Sequence, residues 1–104
     1  MKHRLIKKIG LLFLLNLSWV AWVHAGNPAN GAKIYQRYCE SCHGSSGRSL
    51  TPGTPDFSVG ESLNQPDGVL QAAVEKGKKM MPGFLGILKK EQIQDAISYL
   101  RTLQ

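Results

Sequence analysis

Cys39-Glu40-Ser41-Cys42-His43 constrains this chain more than any other stretch. Two thiols stand three positions apart, and an imidazole follows at once. In that order each thiol can add to a vinyl group of a porphyrin. The adjacent histidine can then ligate the iron through a ring nitrogen. This is the attachment signature of a c-type haem. The other histidines, His3 and His24, fall in the leader described below, so one pentapeptide has to hold the whole prosthetic group.

A Cys-x-x-Cys pair without the histidine also fits a redox dithiol, half of a zinc site or a small disulfide ring. The dithiol needs a strand before the pair and a βαβ unit around it. Here a Gly- and Pro-rich stretch follows, and no alternating run lies upstream. Structural zinc needs four Cys or His ligands at set spacing. Residues 26–104 offer only Cys39, Cys42 and His43. The immediate histidine separates haem from these alternatives.

The chain is long enough for one domain. Residues 1–25 read as an export signal, and residues 26–104 as a monohaem domain. The first eight residues carry Lys2, Arg4, Lys7 and Lys8 and no acid. A mostly apolar run to Val23 follows, and Val23-His24-Ala25 closes it with a small-residue cleavage pattern. The expected address is the periplasm. The alternative is an uncleaved membrane anchor, but the apolar run is at the lower edge of spanning length and is interrupted by Gly10, Asn16 and Ser18. Cleavage also changes the charge. The full chain has 13 basic and 7 acidic residues, a net +6. Losing the leader's four basic residues brings the balance to about +2, which removes most of the support for nucleic-acid binding. The remaining domain has a thin core, and a porphyrin would give its helices an apolar body to pack on.

Within that domain, Gly26-Asn27-Pro28 reads as a breaker, with Asn30 capping a helix over residues 31–40. Ala32, Tyr35, Tyr38, Cys39 and Cys42 recur at helical steps. Residues 44–60 have no period and form a loop long enough to need a reason. Wrapping a haem edge is one. Arg48 can pair there with a propionate or sit solvated on the surface. The carbonyl of Pro55, or of Pro52, can accept a hydrogen bond from the non-ligating nitrogen of His43 and so fix the ring. Asn64-Gln65-Pro66-Asp67 starts a second helix, whose stripe of Val69, Leu70, Ala73 and Val74 ends at Gly77.

Lys78-Lys79-Met80-Met81-Pro82-Gly83-Phe84 then holds the domain's soft ligands. A thioether opposite histidine completes the iron's coordination and raises its potential. Pro82 biases Met81 toward extended backbone, so Met81 is the expected ligand, with Met80 packing or facing solvent. The clearest helix spans residues 89–103, with Ile93, Ala96, Ile97, Leu100 and Leu103 on one face. Its start lacks a Ser, Thr or Asp cap. Lys76, Lys78, Lys79, Lys89 and Lys90 flank the methionine loop and can steer docking to an acidic redox partner. No paired acids, no nucleophile with a base and no phosphate-cradling loop appear, so the chain does not read as an enzyme.

Gly31, Tyr35, Cys39-x-x-Cys42-His43, Pro55, Met81-Pro82-x-Phe84 and Ala96…Tyr99-Leu100 follow the order of a class I bacterial cytochrome c, which residues 26–104 resemble throughout. The resemblance implies an all-α fold, a small bundle of short helices wrapped around one covalent haem. It implies a crossing of first and last helices near Gly31, Tyr35 and Tyr99, with His43 and Met81 as axial ligands. It also implies a one-electron carrier. Two other classes stay open: an electron-transfer subunit fixed to a dehydrogenase or reductase, and a haem that binds small ligands. The chain departs from larger members in its short central segment and in having no tryptophan after residue 25.

Overall fold

The computed structural model describes residues 26–104. The expected leader lies outside the described residues. Among them are four α-helices and no strand: α1 (Pro28–Tyr38), α2 (Glu40–His43), α3 (Asp67–Lys76) and α4 (Lys90–Leu100), with a 3₁₀ turn at Phe57–Val59. None is long and apolar enough to cross a membrane. The all-α expectation holds.

The start of α1 differs from the sequence expectation. Asn27, not Asn30, is the cap: its extended backbone lets Oδ1 accept from the amides of Ala29 (3.0 Å) and Asn30 (3.3 Å). Pro28 follows at the first helical position, where its fixed φ suits the helix and its missing N–H costs nothing. The apparent breaker is therefore a helix start. The helix also stops earlier, at Tyr38, and a separate turn from Glu40 carries Cys42 and His43.

Helix α3 runs as its sequence signals indicate, from Asp67 to a C-cap at Gly77. Helix α4 is shorter than the apolar stripe suggested. It ends at Leu100, and the Thr102 hydroxyl donates to the Tyr99 carbonyl, 2.6 Å. Its uncapped start is covered by Gln92, whose Oε1 accepts from the Lys89 amide, 2.8 Å. Arg101 then ties the end of α4 to the start of α3. Its guanidinium donates to the Leu63 and Gln65 carbonyls and to Asp67 Oδ1 at 2.6–2.8 Å.

Helices α1 and α4 cross in direct backbone contact. A Cβ built on Gly31 would lie 1.8 Å from the Asp95 carbonyl oxygen, so only glycine permits this approach. Beside the contact the Tyr35 and Tyr99 rings meet, centroids 5.2 Å apart. Tyr35, Ile93 and Ile97 are the largest fully buried side chains. The crossing implied by the family resemblance is therefore present, and it forms the floor on which the rest is built.

Candidate haem site

A cavity of about 270 Å³ opens between the helices, near the lower end for ligand pockets. Its walls are almost wholly apolar, with Phe57, Leu70, Phe84 and Ile97 among them. Into it the fold brings Cys39, His43, Pro55 and Met81.

His43 arrives on the short turn α2. Its amide donates to the Cys39 carbonyl, 3.0 Å. Next to it Gly44 takes a φ of +78° and accepts, through its carbonyl, the Tyr35 hydroxyl at 2.5 Å. The first helix thus fixes the residue that follows the histidine. The imidazole is buried and stacks on Phe57, centroids 4.8 Å apart and planes 23° apart. Phe57 in turn donates its amide to the Gly47 carbonyl, 2.8 Å. That stacking partner is not legible from the residues, because it depends on how the loop 44–60 folds back.

Burial lowers the proton affinity of His43 below its ordinary value. Burial thus favours the uncharged ring, the form whose lone pair can ligate a metal. Its Nδ1 is buried with no hydrogen-bond partner. The expected bond from His43 to the carbonyl of Pro55 or Pro52 is thus not formed. Pro55 lies at the cavity wall, but the ring is oriented by its stack on Phe57 rather than by a backbone acceptor.

Cys39 is half-buried at the cavity, Cys42 is exposed, and neither is in a disulfide. Burial, with the neighbouring Cys42, pushes the Cys39 thiol up to about 11. A redox dithiol needs the opposite shift, toward a stable thiolate. With no strand before the pair among the described residues, the dithiol reading loses both its supports. Nor do the described residues place three or more His, Cys, Asp or Glu side chains to hold a metal ion among themselves.

Met81 is half-buried and lines the cavity, whereas Met80 is 89% exposed. A tight turn makes the difference. Lys78 and Met81 exchange both backbone hydrogen bonds, at 3.1 and 3.0 Å, and Lys79 between them adopts a φ of +55°. The next residues lie across the end of α3: Phe84 and Leu85 donate their amides to the Val74 and Glu75 carbonyls, which the helix leaves without partners of its own. Gly77 and Gly83 allow this approach, since a Cβ on Gly77 would lie 2.5 Å from the Gly83 nitrogen. The Met81 segment is thereby clamped at both ends.

Arg48 is exposed and does not reach the cavity. Lys76, Lys78, Lys79, Lys89 and Lys90 are all exposed. Phe84 closes the cavity from the methionine side and meets Tyr38 edge-on, centroids 6.0 Å apart.

Against known proteins, the family described as "Cytochrome C oxidase, cbb3-type, subunit III" matches residues 26–100. The chain belongs to the cytochrome c family. Relatives named cytochrome c6 agree. The one from Nostoc sp. is 32% identical over 104 residues, covering 91% of this chain and 92% of its own. That of Thermosynechococcus vestitus is 32% identical, covering 96% and 91%, and that of Pyropia yezoensis 29%, covering 90% and 91%. The chain is a small electron carrier with one covalently attached c-type haem, and it is not an enzyme. The residues present fit that group. The cavity is apolar, the buried His43 imidazole and the Cys39 thiol line it, and the second unpaired thiol, Cys42, stands one helical turn on from Cys39.

Proposed function

We propose that this protein is an exported one-electron carrier. Cys39 and Cys42 hold the haem through thioethers, and His43 and Met81 are its axial ligands. The observation that carries this reading is the buried imidazole of His43 sharing one apolar cavity with the inward-facing Met81. When bound, the haem takes up and returns one electron at its iron. The protein's part is to keep the two ligating side chains still. Tyr35 and Phe57 hold the His43 turn, while the Lys78–Met81 pair and the α3 carbonyls hold the methionine loop. Both ligands are uncharged, so they add no charge to the cavity. The apolar walls exclude water, and together with the thioether they favour the reduced state.

Residues 1–25 act as a cleaved export signal, and the carrier works in the periplasm. The start of the family match at residue 26 supports that boundary. The exposed lysines around the methionine loop dock an acidic redox partner. A second reading is favoured by the family description itself, which names an oxidase subunit: the domain then serves as an electron-transfer subunit of a larger enzyme. Co-purification with an oxidase or dehydrogenase would select that reading.

The test is the exported protein made with a working haem-ligation system. Its mass should equal that of residues 26–104 plus one haem. The oxidised form should show the weak long-wavelength band of methionine–iron ligation. A bare polypeptide mass rules out the attachment. A haem-loaded protein without the band points instead to a labile sixth ligand and to small-ligand binding.

A further inference from the structure

Gly26, the first residue after the expected cleavage point, is wedged against α4. A Cβ built on it would lie 2.3 Å from Ser98 Oγ and 2.5 Å from the Gln94 carbonyl oxygen. Between those two positions on α4, Asp95 turns its carboxylate to the same segment. Oδ1 accepts from the Asn27 amide at 2.7 Å, and Oδ2 from Asn30 Nδ2 at 2.8 Å. Helix α1 has no acidic residue in its first turn. Asp95 therefore supplies, from a neighbouring helix, the negative charge that a helix start favours. A carboxylate offers about four acceptor positions, and two are taken here.

We infer that this edge of α4 is a cradle for the chain's own amino terminus, in which the Gly26 ammonium of the processed protein is held by Asp95 beside Gln94 and Ser98. The inference rests on the cleavage reading proposed above. Hydrolysis of the Ala25–Gly26 bond by an export peptidase consumes one water. It leaves a carboxylate on Ala25 and an ammonium on Gly26. A neutral amide nitrogen becomes a cation one residue from an amide that Asp95 already holds. Glycine is required at position 26 because the cradle has no room for a side chain. Processing thus adds a charge-assisted contact at the α1–α4 seam, the contact on which the haem cavity is built.

The experiment starts from intact mass of the exported holoprotein, expected to begin at Gly26. That protein is compared with a form bearing one additional alanine before Gly26, which moves the ammonium outward by about 3.8 Å. Urea unfolding is measured for both, in the native and the Asp95→Asn backgrounds. The added alanine should lower the folding equilibrium constant about tenfold in the native background and change it little with Asn at position 95. Gly26→Ala leaves Asp95 in place and should cause a loss of similar size, which gives a test independent of how well Asp95→Asn folds. Equal losses in both backgrounds, no loss in the native one, or a neutral Gly26→Ala would overturn the cradle and leave the cleavage site standing. A mature chain that begins at another residue would overturn both.

Discussion

Two methionines side by side, one outward and one inward, give the sharpest contrast between single residues. Met81→Ala should remove the long-wavelength band of the oxidised protein and lower the reduction potential. Met80→Ala should leave both unchanged, because Met80 is 89% exposed on the outer side of the turn. Redox titration with optical detection separates the two. Tyr35 carries a second prediction. Burial, the largest cause, raises its hydroxyl from 10.0 to about 12. The folded state therefore keeps a proton that the unfolded chain releases. Its stabilisation is complete below pH 10 and is lost as the pH climbs toward 12. A late phase of tyrosinate absorbance should be present in the native protein and absent from Tyr35→Phe. That variant also leaves the buried Gly44 carbonyl without its donor, at a cost of about 1–3 kcal/mol in urea unfolding. Neither the Tyr35–Gly44 bond nor the Phe57–His43 stack was legible from the residues. Side-chain type is local information, but a partner across a folded loop is not.

Between elements, the crossing of α1 and α4 depends on a missing side chain. Gly31→Ala puts a methyl group 1.8 Å from the Asp95 carbonyl oxygen. A backbone oxygen cannot swing aside, so the helices must separate. The expected cost is at the upper end for overpacking, about 3 kcal/mol, read as a fall in the urea midpoint with the slope unchanged. The ends of elements were the least legible features. The end of helix α3 is legible because its stop signal, Gly77, acts within its own turn. The start of α1 was displaced because Asn27 and Asn30 are both competent caps. The choice between them falls to Asp95 on another helix, which engages both. The end of α4 was overrun because its apolar stripe continues to Leu103. That residue packs against the core without being helical.

Among the described residues five exposed lysines, Lys76, Lys78, Lys79, Lys89 and Lys90, fall in the stretch of chain that carries the methionine loop. Lys78 and Lys79 directly precede the exposed Met80, and Leu85 and Ile87 a few residues further along the chain are exposed as well. Charge at such a site acts on encounter rather than on folding. Lys78→Gln with Lys79→Gln should slow association with an acidic redox partner several-fold at low salt and flatten its salt dependence, with the urea midpoint little changed. Stopped-flow electron transfer across a salt series checks this. Equal rates for native and variant protein at low salt would refute lysine steering.

By itself, the sequence determined which atoms are available for chemistry. It determined two thiols and an imidazole in fixed order, a thioether before a proline, and helical stripes with enough apolar area to enclose something large. These follow from residue type and spacing, which the chain carries whether folded or not. Tertiary structure alone decided where those atoms meet. It left Nδ1 of His43 without the proline acceptor expected for it, stacked that ring on Phe57, and set Asp95 against Gly31 at the seam between distant helices. Each of those outcomes depends on approach between segments far apart in sequence, and only the packed chain specifies such distances.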